Sequence, residues 1–425
     1  MNVVIVNDTA HVNGGAAKLA IAEAIGLADR GHVIFFLAAV DPVDEALSGH
    51  PNIRVVSTHQ FDLFADPDRL RAFLQGWWNQ TALRAAQAVS APLSSGETVV
   101  HLHIWARALS SSVAMAFLRA GFPTVCTLHD FLLACPTGTF FLHQEEKICT
   151  IKPMSAACIR TNCDTRSYPQ KLWRVGRQVI QKQFGRIPTD IKDYIVHSQL
   201  ASEVMRAHLP SEASIHSLTG YVDAKKARPA SPAENASFVY LGRLVREKGV
   251  RMLARCAAAE KLPVTFVGSG ALEQEIMEAN PNAVITGWRN PQQSREYLRQ
   301  ARALVFPSLW FETLGLVVLE AAAVGIPSIV PDTSAAREIV DDGVTGFHFR
   351  GGDESDLRSK MRQLDDPEVA ARLGKAAYDR FWSSNYASLE FHAAALESIY
   401  SKMLRRTLPH LYAKFVVDQG QYEPS

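Results

Sequence analysis

Short, nearly continuous apolar runs alternate along this chain with longer stretches whose apolar residues recur at helical spacing. NVVIVND at 2–8, VIFFLAA at 33–39, NIRVVST at 52–58, TVVHLHI at 98–104, PTVCTLH at 123–129 and DYIVHSQ at 193–199 are the runs of the first half. Between the first two, AAKLAIAEAIGLADRGH carries apolar positions three and four apart and a glycine near its end, the pattern of a helix that stops. RLRAFLQGWWNQTALRAAQAV at 69–89 reads as one further helical stretch. Buried-strand runs alternating with helices predict a parallel sheet covered on both faces.

At 224–236 the pattern lapses into AKKARPASPAENA, with two prolines, several small residues and few large apolar ones. A second series follows at once: SFVYLGRL, the helical GVRMLARCAAAE, then VTFVGSG, AVITGW, ALVFPS and PSIVPD. The chain therefore divides into an α/β domain over 1–223, a linker over 224–236, a second α/β domain over 237–390 and a helical segment over 391–425. That last segment either crosses back onto the first domain or caps the second. A length of 425 residues exceeds what one hydrophobic core usually sustains, which agrees with two domains.

Composition narrows the function. An apolar share of 47% and a charged share of 20% suit a soluble globular enzyme. A net charge of +1 gives no general attraction for nucleic acid, so any anion site is local. No apolar run is long enough to span a bilayer, and MNVVIVNDTA lacks the basic flank and cleavage pattern of a signal peptide. A cytoplasmic protein is expected.

The candidate chemistry gathers where predicted strands end. Glu312 and Glu320 stand eight residues apart in WFETLGLVVLEAAAVGIP, the first just past ALVFPS, the second in the helix that follows. A carboxylate in the first turns of that helix can accept two vicinal hydroxyls, as on a ribose. The backbone N–H groups of Thr313, Leu314, Gly315 and Leu316 face a ligand beyond the strand ends. In GRLVREKG at 242–249, Gly242 ends a strand and Arg243 and Lys248 place two cations where a helix dipole does not favour them. Either Glu247 offsets them or an anionic ligand does; arginine would grip diphosphate through its planar fork and lysine would act as a point charge. Gly14 and Gly15 lie between a strand and a helix start, where free N–H groups suit a phosphate or carboxylate. The spacing is not that of a dinucleotide fingerprint.

His129 closes PTVCTLH and is followed by Asp130, a pairing that suits the floor of a site. His101 and His103 share one strand face. No third ligand stands at zinc spacing, so no catalytic metal is expected, and His101 and His197 read as satisfied histidines. Cys126 and Cys256 read as core thiols. Cys135, Cys149, Cys158 and Cys163 crowd a loop-rich stretch without a CxxC knuckle; structural zinc, free thiols and disulfides all remain open, the last disfavoured in a cytoplasmic chain. The basic segment around 168–186 carries Leu172, Trp173, Val175, Val179 and Ile180 among its cations. It either lies on an anionic membrane surface or packs its apolar stripe on the first domain with its charges in water. No aromatic-basic groove or nucleic-acid module is present, so no nucleic-acid partner is expected.

In this order GGAAKLA, TLHD, GRLVREKG, FVGSG and FETLGLVVLEAAAVGIP resemble glycosyltransferase family 4, and the likeness covers nearly the whole chain. The resemblance implies the GT-B fold, two Rossmann-like doubly wound domains facing a cleft. It implies retaining transfer of a sugar from a nucleoside-diphosphate sugar to a hydroxyl of a glycan or glycolipid acceptor, as in cell-surface polysaccharide assembly, with no cofactor required. By it Arg243 and Lys248 hold the donor diphosphate and Glu320 the ribose. Glu312 and His129 stand beside the transferred sugar, and Gly15 contacts the donor phosphate or the acceptor. The Cys-rich insert at 135–163 marks only some branches and lies on the acceptor side. Leu218-Thr219-Gly220-Tyr221-Val222-Asp223 departs from the asparagine-glycine-valine-aspartate turn usual there. A sugar-nucleotide epimerase or hydrolase on the same scaffold is the alternative. A non-catalytic binding protein is another, against which the intact Arg243 and Lys248 count.

Overall fold

In the computed structural model, which describes residues 1–407, the apolar runs become parallel strands of two separate sheets. The first sheet has seven strands in the order Ile53–Ser57, Val33–Ala38, Asn2–Val6, Thr98–Leu102, Thr124–Thr127, Asp193–Val196 and Ser214–Ser217. Val3, Val4, Ile5 and Val6 are wholly buried, because helices cover both faces of the central strand. Val6 stands opposite Leu37 on one side and Leu102 on the other. The second sheet has six strands in the order Val284–Ile285, Val264–Val267, Phe238–Leu241, Ala303–Val305, Ser328–Pro331 and Gly346–Phe349. In each sheet the strand order reverses beside the first strand of the series. That reversal opens a crevice at the carboxyl ends of the strands.

Two edge strands, Ser214–Ser217 and Gly346–Phe349, escaped the sequence reading, being only four residues each and carrying histidine inside. The 69–89 stretch is two helices, not one. Trp78 is extended, and Asn79 starts Gln80–Ser90 by accepting the Ala82 N–H on its side chain. That cap satisfies a donor an unbroken helix would not expose.

The chain enters the second domain through irregular backbone around 218–236 and leaves it after the Pro367–Trp382 helix. The next helix, Leu389–Thr407, crosses back. Its Ala393, Leu396, Ile399, Tyr400 and Met403 pack with Val3, Ile5, Ala20 and Leu27 of the first domain. The contact is close enough that a Cβ on Gly26 would stand 3.0 Å from Leu389 Cγ. Of the two arrangements open for 391–425 the crossing is the one observed; the part beyond 407 lies outside the described residues.

The Tyr168–Gln183 helix departs from one expectation. It buries Lys171, Arg177, Gln178 and Gln181, half-buries Trp173, Val175 and Ile180, and turns Leu172 and Val179 outward, so its apolar stripe is packed only in part and polar side chains face the domain. The reason is the irregular backbone beneath it. Arg177 donates to the carbonyls of Ala106 and Pro136, each at 3.3 Å, and Gln178 to that of Leu133 at 2.9 Å. Carbonyls that no strand or helix pairs need such donors when buried. Among the described residues no helix is long and apolar enough to cross a membrane.

Candidate functional site

Two loops leave the second sheet on either side of its switch point. The 242–249 loop follows Phe238–Leu241, and the 306–315 loop follows Ala303–Val305. Glycine brings them together. Gly249 has φ 67°, and a Cβ there would lie 2.0 Å from the Pro307 carbonyl oxygen. The Leu309 N–H donates to Glu247 O at 2.9 Å and stitches the loops. Tyr240 Oη donates to Arg243 O at 2.8 Å and fixes the start of the first loop. Gly242 ends that strand at φ 150°.

This packing sets Lys248 Nζ 2.5 Å from Glu312 Oε1. The same oxygen accepts from Ser308 Oγ at 2.7 Å and Trp310 Nε1 at 2.6 Å. All three donors converge on Oε1, so Oε2 keeps its lone pairs for a ligand hydroxyl. The Trp310 ring flanks Lys248, its centroid 5.3 Å from the ammonium. Glu247 offsets one of the two cations: buried, it pairs with Arg243 at 3.8 Å and stands 3.6 Å from His143, while Lys248 pairs with Glu312 instead. The Arg243 side chain is 68% exposed, so beyond its long contact with Glu247 the guanidinium stays open to solvent and can meet an anion.

Glu320 lies in the second turn of the Leu316–Ala323 helix, and Lys18 of the first domain reaches it at 3.1 Å. Gly15 faces the start of the same helix, where a Cβ would stand 3.1 Å from Leu316 Cδ1; Gly14 precedes it on extended backbone. Thr313 joins the domains: its Oγ1 donates to His129 O at 3.1 Å, and Ser198 Oγ donates to its carbonyl at 2.9 Å. Among the described residues the amides of Thr313, Leu314, Gly315 and Leu316 donate to no protein acceptor. Four unpaired N–H groups at a helix start, opposite a glycine loop and beside an open guanidinium, form an anion cradle.

His129 sits on the first-domain side, its Nε2 2.9 Å from His103 Nδ1. Burial, then the neighbouring His103 and His197, hold its imidazole well below the usual histidine range. Asp130 turns back to accept the Leu132 N–H at 2.9 Å, and burial pushes its carboxyl up to about 6. Asp8 likewise reaches about 6 by burial, against the N–H groups of Arg107, Leu109 and Ala108.

Two residues of this region had no motif to announce them, Glu23 and His392, and Lys18, although inside GGAAKLA, had no role assigned to it. Glu23 is buried among three histidines and supplies the third ligand atom that spacing alone did not offer beside His101 and His103. A signal did exist: Glu23 is the lone acid on the apolar face formed by Ala20, Ile21, Ala24 and Leu27.

The cysteines are all free. Cys158 and Cys163 flank the ammonium of Lys171, at 3.7 and 3.1 Å, and Lys171 is wholly buried. Burial works against the Lys171 charge, but the Cys163 sulfur outweighs it and the pKa is raised. Among the described residues only Glu23, His101 and His103 bring three ligand atoms within 4.8 Å of one another.

Residues 222–380 match the family model described as Glycosyl transferases group 1. The sulfoquinovosyl transferase SQD2 of Arabidopsis thaliana is 32% identical over 153 residues, 34% of this chain and 29% of the plant protein. The chain thus spans under a third of that relative's length. Alpha-maltose-1-phosphate synthase of Mycobacterium tuberculosis is 25% identical over 331 residues, 70% of this chain and 77% of that protein. Among solved structures, sucrose-phosphate synthase from Thermosynechococcus elongatus superposes with a TM-score of 0.69 at 18% identity, covering 95% of this chain and 99% of the other. Anabaena Alr3699/HepE in complex with UDP-glucose does so at 0.64 and 17%, covering 94% and 100%. The fold is GT-B, and the second domain over 222–380 is similar to the group 1 glycosyl transferases.

Proposed function

We propose that this GT-B glycosyltransferase moves a sugar, with retention, from a nucleoside-diphosphate sugar to a hydroxyl of a glycan or glycolipid in cell-surface polysaccharide assembly. The observation that carries the reading is the cradle formed by Arg243, Lys248 and the unpaired amides of 313–316. The donor diphosphate lies in that cradle, and its ribose hydroxyls reach Glu320 by displacing Lys18. The transferred sugar then lies between Glu312 Oε2 and His129. As the glycosidic bond lengthens, charge grows on the diphosphate, and Arg243, Lys248 and the amides stabilise it. Preorganised donors of this kind are usually the largest protein contribution to such a step. The acceptor hydroxyl attacks the same face and gives its proton to a departing phosphate oxygen. The cross-domain contacts of Thr313 with His129 and Ser198 hold the cleft closed and keep out water, which competes as acceptor.

A thermal-shift panel of nucleoside diphosphates and their sugars tests the reading, because a ligand that binds only the folded protein raises its apparent stability. One nucleotide family is expected to stand out. A flat panel removes the proposal, and rapid complete turnover of the donor without acceptor replaces it with a hydrolase or epimerase. Two finer parts go with it. Leu70, Phe73, Leu74, Leu172, Val179 and Phe184 are exposed on neighbouring helices, and they support docking on an anionic membrane from which a lipid-linked acceptor is drawn. The four clustered cysteines, no three of which bring their sulfurs within 4.8 Å of one another, are free thiols grouped around the Lys171 ammonium, with structural zinc as the alternative.

A further inference from the structure

Behind His129 a string of buried polar side chains runs from the cleft to the returning C-terminal helix. Glu23 is wholly buried, yet its carboxylate faces three imidazoles. Oε1 is 2.9 Å from His392 Nε2. Oε2 is 3.2 Å from His103 Nε2 and 3.5 Å from His101 Nδ1, both outside hydrogen-bond alignment. His103 Nδ1 in turn meets His129 Nε2 at 2.9 Å.

Hydrogen positions follow from the groups that can only accept. The Thr219 carbonyl, 3.0 Å from His392 Nδ1, requires a hydrogen on that nitrogen. An ionised Glu23 draws hydrogens onto His392 Nε2 and His103 Nε2. His392 then carries both ring hydrogens and balances the one buried carboxylate. A second imidazolium there would be an unpaired buried charge, which burial strongly disfavours. His103 is therefore neutral, with its hydrogen on Nε2 and its lone pair on Nδ1. That lone pair takes the hydrogen on His129 Nε2.

The same residues do not make a metal site. Glu23, His101 and His103 come within 4.8 Å of one another. His101, however, already uses both ring nitrogens, Nδ1 with Tyr400 Oη at 2.7 Å and Nε2 with Thr127 Oγ1 at 2.6 Å. A neutral imidazole has one hydrogen and one lone pair, so neither is left for an ion. The set fits a relay of two links, a 3.2 Å electrostatic contact from Glu23 to His103 Nε2 and the 2.9 Å hydrogen bond from His103 Nδ1 to His129.

We propose that Glu23, acting through His103, is a positioning residue that fixes His129 in its Nε2–H tautomer and so leaves the Nδ1 lone pair to accept a hydroxyl of the bound sugar or acceptor. The inference rests on the reading that places His129 beside the transferred sugar. Glu23→Gln tests it, because the carboxamide can donate to His103 Nε2 and reverse both tautomers. In nitrogen-15 imidazole spectra, His129 Nδ1 is expected to be pyridine-type in the wild type and pyrrole-type in the variant. kcat should fall about 10²-fold or more, the direction seen when an acid that orients a working histidine becomes an amide. Affinity for the nucleoside diphosphate should stay unchanged. His103→Asn, which removes the link, provides a second variant with the same expected loss if Glu23→Gln does not fold. A wild-type His129 already protonated at Nδ1, unchanged kcat in either folded variant, or a bound metal lost with Glu23→Gln would overturn the relay. Failure of the wild type to bind any nucleoside diphosphate would instead sink the functional reading, and the spectra would still report the tautomer.

Discussion

Lys248 pairs with a glutamate 64 positions away rather than with Glu247 beside it. The positive φ at Gly249 turns the chain so that the ammonium points across to the neighbouring loop. Lys248 and Glu312 therefore form one unit, with the carboxylate holding the cation where a diphosphate would meet it. Lys248→Ala is expected to lower turnover by about 10²-fold or more, the scale of losing one preorganised electrostatic donor. Steady-state rates in a variant with the wild-type melting temperature check this, and full turnover would count against the cradle. The residue types at this site were legible because Arg243, Lys248, Glu312 and Glu320 sit in compact local patterns. Lys18 was not legible, because its partner Glu320 lies 302 positions on in the other domain. Glu23 was hidden in a run whose helical spacing already had an explanation, a buried face.

At the scale of elements, apolar runs gave eleven of the strands, since a parallel strand buried on both faces leaves an uninterrupted signature. The edge strand Ser214–Ser217 has no such signature, because one side of it meets solvent and its residues are half-buried. The Tyr168–Gln183 helix shows the limit of reading amphipathicity alone. A periodic pattern gives two faces, and which one turns inward depended on unpaired carbonyls at 106, 133 and 136. Lys171 belongs to that inward face and brings an ammonium to sulfur instead of to a carboxylate. Metal analysis of protein purified without added zinc decides what the sulfurs hold. Structural zinc predicts near-stoichiometric metal and protected thiols, whereas under about 0.2 zinc per chain with four titratable thiols removes it.

For the whole molecule, the outward and inward faces of the Tyr168–Gln183 helix differ in what they present. Its outer face, with that of Arg69–Trp77, is apolar and carries the exposed cations Arg166 and Lys182 at its margin. Its inner face reaches Ala106 through Arg177, and Ala106 lines the same hollow as His103 and His129. A lipid-linked acceptor arriving at the outer face would thus be one helix thickness from the proposed sugar site. Co-sedimentation with anionic vesicles checks this. Leu70→Asp, Leu172→Asp and Val179→Asp are each expected to weaken binding about tenfold or more, from the apolar area no longer buried. Loss of binding in high salt, with neutral vesicles never bound, is expected as well. Wild-type protein that ignores anionic vesicles would sink the docking reading.

The returning helix has a mechanical corollary. Two separate stretches of chain, near 218–236 and 383–388, tie the lobes together, and Tyr400 anchors the second crossing by its bond to His101. A body tethered at two points pivots about the line through them and has little freedom to twist or slide. Each opening should then follow one arc, so Thr313 and Glu320 return to the same partners at every cycle.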